Sequence, residues 1–203
     1  EDEAIKWYKM SADQGNIDAM VSLANIYFWS DEYAIEMARR LFERAAADQN
    51  AEAECMLGVL EDDPVVKADW FEKSALQGYA EAQYSLGQLY EEGIGRPRNY
   101  EKAIQLYENA AEQGEAMALR ALGDCYQYTD DQKAFEYYRK GADKEDILSK
   151  IRVGNCYYTG IGVDENDEEA VKWFERVISD DECSLAEDGM HSVGGFVYGQ
   201  LGE

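Results

Sequence analysis

The stretch "SLGQLYEEGIG", residues 85–95, places one glycine inside an apolar run and then adds a Gly-x-Gly pair. Glycine-rich turns of this kind can cradle phosphates when they link a strand to a helix. They can also join two helices, because glycine readily adopts the left-handed backbone conformation that ends a helix. The first interpretation leads to a nucleotide-binding enzyme, and the second to an assembly of helices.

The hexapeptide frame at the start of this stretch recurs along the chain. "SLGQLY" (85–90) aligns with "SLANIY" (22–27), "ALGDCY" (121–126) and "RVGNCY" (152–157), and less closely with "MLGVLE" (56–61) and "SVGGFV" (192–197). The small residue at the third position of each copy is Ala24, Gly58, Gly87, Gly123, Gly154 and Gly194. Successive copies are separated by 34, 29, 36, 31 and 40 residues.

A pair of bulky side chains alternates with this frame. Its copies are Trp7-Tyr8, Leu41-Phe42, Trp70-Phe71, Leu106-Tyr107, Tyr137-Tyr138 and Trp173-Phe174. The first four steps between them are 34, 29, 36 and 31 residues, the same as those of the first motif. Two motifs that lengthen and shorten together indicate a true internal repeat.

Each repeat has the pattern of two amphipathic helices. In the first helix of the clearest copy, Ala82, Leu86 and Leu89 recur at helical spacing. The second helix is predicted to begin at the N-cap residue Asn99 and to end at the left-handed residue Gly114. The corresponding end at residues 48–50, "DQN", is predicted to use asparagine in place of that glycine.

The recurrent glycine inside the first helix needs a reason, because glycine costs about 1 kcal/mol relative to alanine in a helix interior. The pattern predicts that Gly58, Gly87, Gly123 and Gly154 let the second helix approach closely while its aromatic pair fills the space.

The combined pattern A-x-x-x-L-G-x-x-Y, then G-x-G, then A-x-x-W-F/Y and a closing Q-G resembles the Sel-one-like repeat, a relative of the tetratricopeptide repeat. The best copies are residues 82–114 and 151–177. The resemblance implies an all-α fold, a right-handed α-solenoid of stacked antiparallel helix pairs with about twelve helices. The G-x-G turn is missing after Tyr27, Glu61 and Tyr126, which accounts for the shorter repeats.

We expect a single repeat domain over residues 1–203, with a half repeat at each end. Its approximate units are 1–15, 16–50, 51–79, 80–115, 116–146, 147–183 and 184–203, and the last unit carries a first helix at about 184–200. Because the chain begins on a second helix, we expect it to be part of a longer protein.

The composition restricts the partners. Acidic residues outnumber basic ones 43 to 19, and the net charge is −24. Such a surface repels nucleic acid and anionic lipid, so a protein or peptide partner is expected, and a basic one is favoured unless the charge serves only solubility. No apolar run is long enough to insert into a membrane.

The four cysteines form no C-x-x-C motif. We interpret them as small apolar residues that fill helix faces, in a protein from a reducing compartment. This usage predicts a cytoplasmic protein unless an N-terminal signal has been removed.

No motif for catalysis, a metal or a cofactor is convincing. The turns at 93–95 and 160–162 follow helices and lack the third glycine of a dinucleotide fingerprint. "DENDEE" (164–169) has acidic residues at EF-hand spacing, but Glu169 stands where that loop requires glycine. Cys183 and His191 lack an evident orienting group. The chain is therefore predicted to be non-enzymatic, with no cofactor and no metal site.

The resemblance to tetratricopeptide repeats implies a groove lined by residues two before, two after and five after the motif leucine. The partner-binding residues predicted on this basis are Asn25, Phe28, Tyr84, Gln88, Arg120, Asp124, Asn155 and Tyr158. His191, Gly195 and Tyr198 take the same positions in the last unit. Aromatic rings offer anchoring area and amides can pair with an extended peptide backbone. The alternative is that several of these side chains merely pack between repeats.

The leading hypothesis is a protein–protein interaction scaffold or adaptor that binds its partner along the concave face. Two alternatives remain open. The chain could be a structural spacer in a larger protein whose activity lies in another domain, or a hydrolase that uses groove carboxylates such as Glu91 and Asp124.

Overall fold

The computed structural model describes residues 2–30 and 32–184 of the 203-residue chain. These residues form eleven α-helices and no strand. The helices are α1 (Asp2–Asp13), α2 (Ile17–Phe28), α3 (Glu32–Ala47), α4 (Ala51–Leu60), α5 (Pro64–Leu76), α6 (Ala80–Glu92), α7 (Tyr100–Glu112), α8 (Ala116–Tyr126), α9 (Asp131–Ala142), α10 (Ile147–Thr159) and α11 (Asp167–Ser184). The all-α class is confirmed, and the number of helices is close to the predicted twelve. The predicted helix at 184–200, with His191, Gly195 and Tyr198, lies outside the described residues.

The described helices group into two compact units, one up to residue 110 and the other from residue 111 onward. In the first unit the hairpins are α2 with α3 and α4 with α5, and in the second they are α8 with α9 and α10 with α11. In the first unit, α6 also packs on α7 through Gly87 and Tyr107. The even-numbered helices are the predicted first helices of each repeat, and the odd-numbered ones are the second helices.

The helical glycines lie where two helices approach each other most closely. A Cβ placed on Gly87 would lie 2.5 Å from Cε1 of Tyr107, which is well inside van der Waals contact. Gly58, Gly123 and Gly154 are blocked in the same way by Phe71, Tyr138 and Phe174. These rings are buried, so the predicted role of the glycines is confirmed.

The second helices end as predicted at glycine in most repeats. Gly15, Gly78 and Gly114 all have φ near +87°, a conformation that costs side-chain-bearing residues about 1–2 kcal/mol. Helix α7 begins as predicted at the N-cap residue Asn99, whose Oδ1 accepts a hydrogen bond from the backbone N–H of Lys102 at 3.0 Å.

The prediction for residues 48–50 was wrong by one residue. Gln49, with φ +60°, takes the left-handed conformation at the end of α3. Asn50 has φ −75° and instead caps α4, where its Oδ1 accepts from the N–H of Ala53 at 2.9 Å. Asparagine is a strong N-cap residue, and the start of the next helix determined its place.

The G-x-G turns connect helices and also touch the preceding repeat. Gly93 ends α6 with φ +77°, and its N–H donates to the carbonyl of Leu89. A Cβ on Gly95 would collide with the carbonyl oxygen of Pro64, the first residue of α5. Gly162 stands against the carbonyl of Asp131 in the same manner. The turns are therefore packing contacts between repeats, and no strand precedes them in the described part of the chain.

Candidate partner-binding surface

The predicted partner-binding residues lie on first helices, four in each unit. Asn25, Phe28, Tyr84 and Gln88 belong to α2 and α6 of the first unit, and Arg120, Asp124, Asn155 and Tyr158 belong to α8 and α10 of the second. We call these eight residues the candidate face, and each unit is described separately.

The residues that stand two positions before the motif leucine are mostly buried. Tyr84 is only 7% exposed, and its ring centroid lies 5.8 Å from that of Tyr107. Val21, Cys55 and Ile151 are buried at the same position. Tyr84 therefore offers little surface to a partner, and its main contact is the packing between α6 and α7.

The remaining candidates in the first unit are half-buried. Asn25 donates from Nδ2 to Oε1 of Glu52 at 2.7 Å and so joins α2 to α4. The ring of Phe28 lies edge-on to that of Trp29, with their centroids 5.0 Å apart. Gln88 is partly accessible on α6. This surface combines amides with an aromatic edge.

The second unit carries an ion-pair network formed by Arg120, Asp124, Asp146 and Arg152. Nε of Arg120 lies 3.3 Å from Oδ2 of Asp146, and Nη1 lies 4.0 Å from Oδ2 of Asp124. Nε of Arg152 lies 3.3 Å from Oδ1 of Asp124. Charges of opposite sign thus lie close together between α8 and α10 and attract one another.

Two buried tyrosines donate hydrogen bonds to carboxylates on first helices. The hydroxyl of Tyr138 donates to Oδ1 of Asp124 at 2.8 Å, while its ring packs on Gly123. Burial, followed by this hydrogen bond to a carboxylate, raises the pKa of Tyr138 well above its usual range. In the first unit, Tyr107 likewise packs on Gly87 and donates to Oε2 of Glu91 at 2.6 Å.

The candidate-face residues on α10 of the second unit lie next to Arg152, which the sequence analysis did not include. Arg152, Asn155 and Tyr158 follow one another at intervals of three residues, so their side chains lie along one side of the helix. The Arg152 side chain is 47% exposed, and Tyr158 is 49% exposed. A guanidinium, an amide and a phenol ring thus form an open stripe, which we call the α10 stripe.

The described residues contain free thiols and an acidic helix N-terminus. They hold no cluster of three His, Cys, Asp or Glu side chains that could bind a metal ion. Cys55 and Cys156 are buried free thiols, and burial raises the pKa of both, that of Cys156 to about 11. Asp167, Glu168 and Glu169 form the acidic first turn of α11. His191 lies outside the described residues.

Comparison with known proteins identifies the repeat. A profile of the Sel1 repeat matches residues 1–16, 17–50, 51–79, 80–115, 116–146 and 148–178. The chain belongs to the Sel1 repeat family. Repeats of this family typically serve in protein interaction and are generally non-catalytic, and proteins that contain them bind other proteins. None of the described helices is long and apolar enough to cross a bilayer.

Solved and curated relatives agree with this assignment. The structure of c5321, a protective antigen of uropathogenic Escherichia coli with an SLR fold, superposes with a TM-score of 0.79 at 29% identity. The superposition covers 97% of this chain and 43% of that one. DAP3-binding cell death enhancer 1 of Rattus norvegicus is 28% identical over 148 residues, covering 53% of this chain and 29% of the relative.

A regulatory protein is also among the relatives. Chitin synthase regulatory factor 3 of Schizosaccharomyces pombe is 27% identical over 195 residues, covering 83% of this chain and 21% of that protein. The Sel1 chain described here therefore spans less than a third of the length of either curated relative.

Sequence reasoning missed several exposed or charged residues of the Sel1 repeats. Trp29 is 81% exposed and Tyr128 is 87% exposed. Each stands two residues after the motif aromatic, Tyr27 or Tyr126, in a turn that lacks G-x-G, and that coincidence was a usable signal. Arg152 and Asp146 had no comparable signal, because their roles depend on contacts between α8 and α10.

Proposed function

We propose that this Sel1 chain is a non-enzymatic adaptor that binds a partner protein or peptide on its first helices. The observation that carries the proposal is the α10 stripe beside the ion-pair network. Arg152 is oriented by Asp124, and Tyr158 offers an open ring. Arginine and tyrosine are the residue types that most often dominate binding energy at protein interfaces.

The carboxylates support an adaptor better than a hydrolase. Glu91 and Asp124, which a groove hydrolase would use, already accept hydrogen bonds from Tyr107 and Tyr138. Each carboxylate is therefore already engaged in a structural contact between a first and a second helix. Relatives named for binding DAP3 and for regulating chitin synthase support a regulatory adaptor, and the free thiols of Cys55 and Cys156 support the cytoplasm as its location.

The structural spacer remains a second candidate function. Its support is the short share of the curated relatives that this chain covers, 29% and 21%. In a spacer, the α10 stripe would have no role in partner binding. Substitution of the stripe therefore separates the two proposals.

The test combines Arg152→Ala, Asn155→Ala and Tyr158→Ala in one variant used as bait for quantitative capture. Tyr100→Ala is the matched control, because Tyr100 is 50% exposed in the other unit, close to the 49% of Tyr158. Proteins captured by the unaltered chain should be lost with the triple variant and kept with the control, while circular dichroism stays unchanged. Equal capture by the triple variant would contradict the adaptor proposal.

A further inference from the structure

A cavity in the second unit lies apart from the α10 stripe. It has a volume of about 250 Å³ and is lined by Ala142, Asp143, Glu145, Lys150, Trp173 and Arg176. These residues come from the end of α9, the turn that follows it, the first half of α10 and the middle of α11. The cavity therefore lies where α9 ends and α11 runs past it.

Lys150 is the unusual element of this wall. Its side chain is only 5% exposed, although a buried ammonium group is costly unless it is paired. The corresponding positions of the other repeats are buried too, and two of them carry the apolar residues Met20 and Leu119. The fold therefore does not need a cation at this position.

Glu145, one of the partners of Lys150, has an unusual backbone conformation. Glu145 forms an ion pair with Lys150, yet its own side chain is 79% exposed. Its φ is +67°, at the position where Gly15, Gly78 and Gly114 end the second helices of other repeats. A glutamate there costs about 1–2 kcal/mol relative to glycine. Little packing holds this carboxylate, so another carboxylate could replace it at Lys150.

The surroundings favour an anionic ligand. Segment 139–152 contains five of the chain's 19 basic residues and only three of its 43 acidic ones. Asp143 already lies 3.7 Å from Nε of Arg139. The guanidinium carbon of Arg176 lies 4.5 Å from the ring centroid of Trp173, which is 5% exposed and forms a rigid wall.

We propose that this cavity binds a carboxylate group of a partner peptide. The carboxylate takes the place of Glu145 on Nζ of Lys150, and Arg176 donates to it from the opposite wall. The proposal rests on the adaptor function in that the carboxylate belongs to a peptide. It does not depend on the α10 stripe, since none of the cavity's residues belongs to that stripe.

Peptide titration monitored by ¹H–¹⁵N spectra tests the proposal. The probes are acetyl-Gly-Gly-Gly with a free carboxylate, the same peptide as its amide, and acetyl-Gly-Asp-Gly amide. The indole N–H signal of Trp173, assigned with Trp173→Phe, is the reporter. We expect a saturable shift with a dissociation constant in the millimolar range, roughly that of one or two ionic contacts. The neutral amide should produce none.

The two carboxylate peptides distinguish the source of the ligand. A stronger effect of the free terminus identifies a C-terminal carboxylate, and a stronger effect of the aspartate peptide identifies an acidic side chain; both support the proposal. Tighter binding of inorganic phosphate, or an equal shift with the neutral amide, would overturn it.

Variants separate binding from folding. Lys150→Met should abolish the shift and remain folded, because methionine occupies the same position at Met20. Glu145→Gly removes the competing carboxylate and should tighten binding about threefold or more. Lys140→Met, an exposed lysine nearby, is the matched control and should bind normally. A shift that persists in Lys150→Met refutes the cavity proposal, whereas the capture experiment on the α10 stripe tests the adaptor function independently.

Discussion

At the scale of single residues, glycine and tyrosine at two motif positions organise both the core and the surface. Gly87 and Gly123 admit the rings of Tyr107 and Tyr138. Where the ring is tyrosine, its hydroxyl continues to a carboxylate on a first helix, because a buried hydroxyl needs a hydrogen-bond partner. Where the ring is phenylalanine, as at Phe71, only the packing remains.

Gly87→Ala should destabilise the protein by about 1–3 kcal/mol, since the new methyl group would overlap the buried ring of Tyr107. Urea denaturation followed by circular dichroism measures the change. Ser85→Ala on the same helix is the control and should have a much smaller effect. A Gly87→Ala protein as stable as the parent would show that α6 and α7 separate at little cost.

Cys156 gives a pH dependence whose sign follows from burial. Burial raises its pKa from about 9.0 to about 11, with a further contribution from Asp131. The unfolded chain then loses this proton at lower pH than the folded one, so the thiol's contribution to stability is complete below pH 9 and falls as the pH rises toward 11. At pH 10 the loss should be about 1 kcal/mol.

Denaturation midpoints at pH 8 and pH 10 measure this loss, and Cys156→Ala should reduce the difference between them. Iodoacetamide should also react slowly with Cys156 at pH 8 in the folded protein and at the ordinary rate in urea. Rapid alkylation of the folded protein would contradict a raised pKa.

At the scale of elements, α1, α3, α5, α7 and α9 each end in a left-handed residue, and the next first helix begins at a side-chain cap in four of these five cases, α6 being the exception. Asn16, Asn50 and Asp146 all accept a backbone hydrogen bond through a side-chain oxygen. This local rule explains why Asn50 caps α4 and Gln49 takes the strained position. It also places Glu145 beside Lys150, so a turn that is structural in other repeats forms one wall of a cavity here.

Asn50→Ala should destabilise the protein by about 1 kcal/mol, because the N–H of Ala53 loses its acceptor. Asn50→Asp is the control, since aspartate caps equally well. Thermal or urea unfolding provides the comparison. Equal losses for both variants would mean that Asn50 acts through contacts other than the cap.

At the scale of the whole molecule, a net charge of −24 dominates long-range electrostatics. The ion-pair network is locally balanced, since two arginines face two aspartates. In the adaptor that we propose, the long-range field would act on the approach of a partner, and the local surface on its bound orientation.

If the captured partner is basic, its association rate with this chain should fall by about tenfold or more as salt rises from low to several hundred millimolar, while dissociation changes less. Surface plasmon resonance with the partner identified by capture gives both rates. The salt series provides its own control, because the same two proteins are compared at each salt concentration. An association rate independent of salt would show that the acidic surface serves solubility alone.

The repeat, the two helices of each unit, the role of the helical glycines and most helix ends were predictable from the sequence alone. These features depend on residues close together in the chain, such as Asn99 with Lys102 or Gly93 with Leu89, so a local pattern is enough to reveal them. Gly87 and Tyr107 are farther apart, but their two motifs recur in register and so predicted the contact.

Which first-helix residues are exposed became evident only from the packing of the helices. Tyr84 has the same motif position as Arg120, yet Tyr84 is buried and the side chain of Arg120 is 20% exposed within a charged network. Lys150 could not be recognised either, because its burial and its cavity depend on side chains from α9 and α11. Exposure is set by neighbours distant in sequence, and the periodicity of one helix carries no information about them.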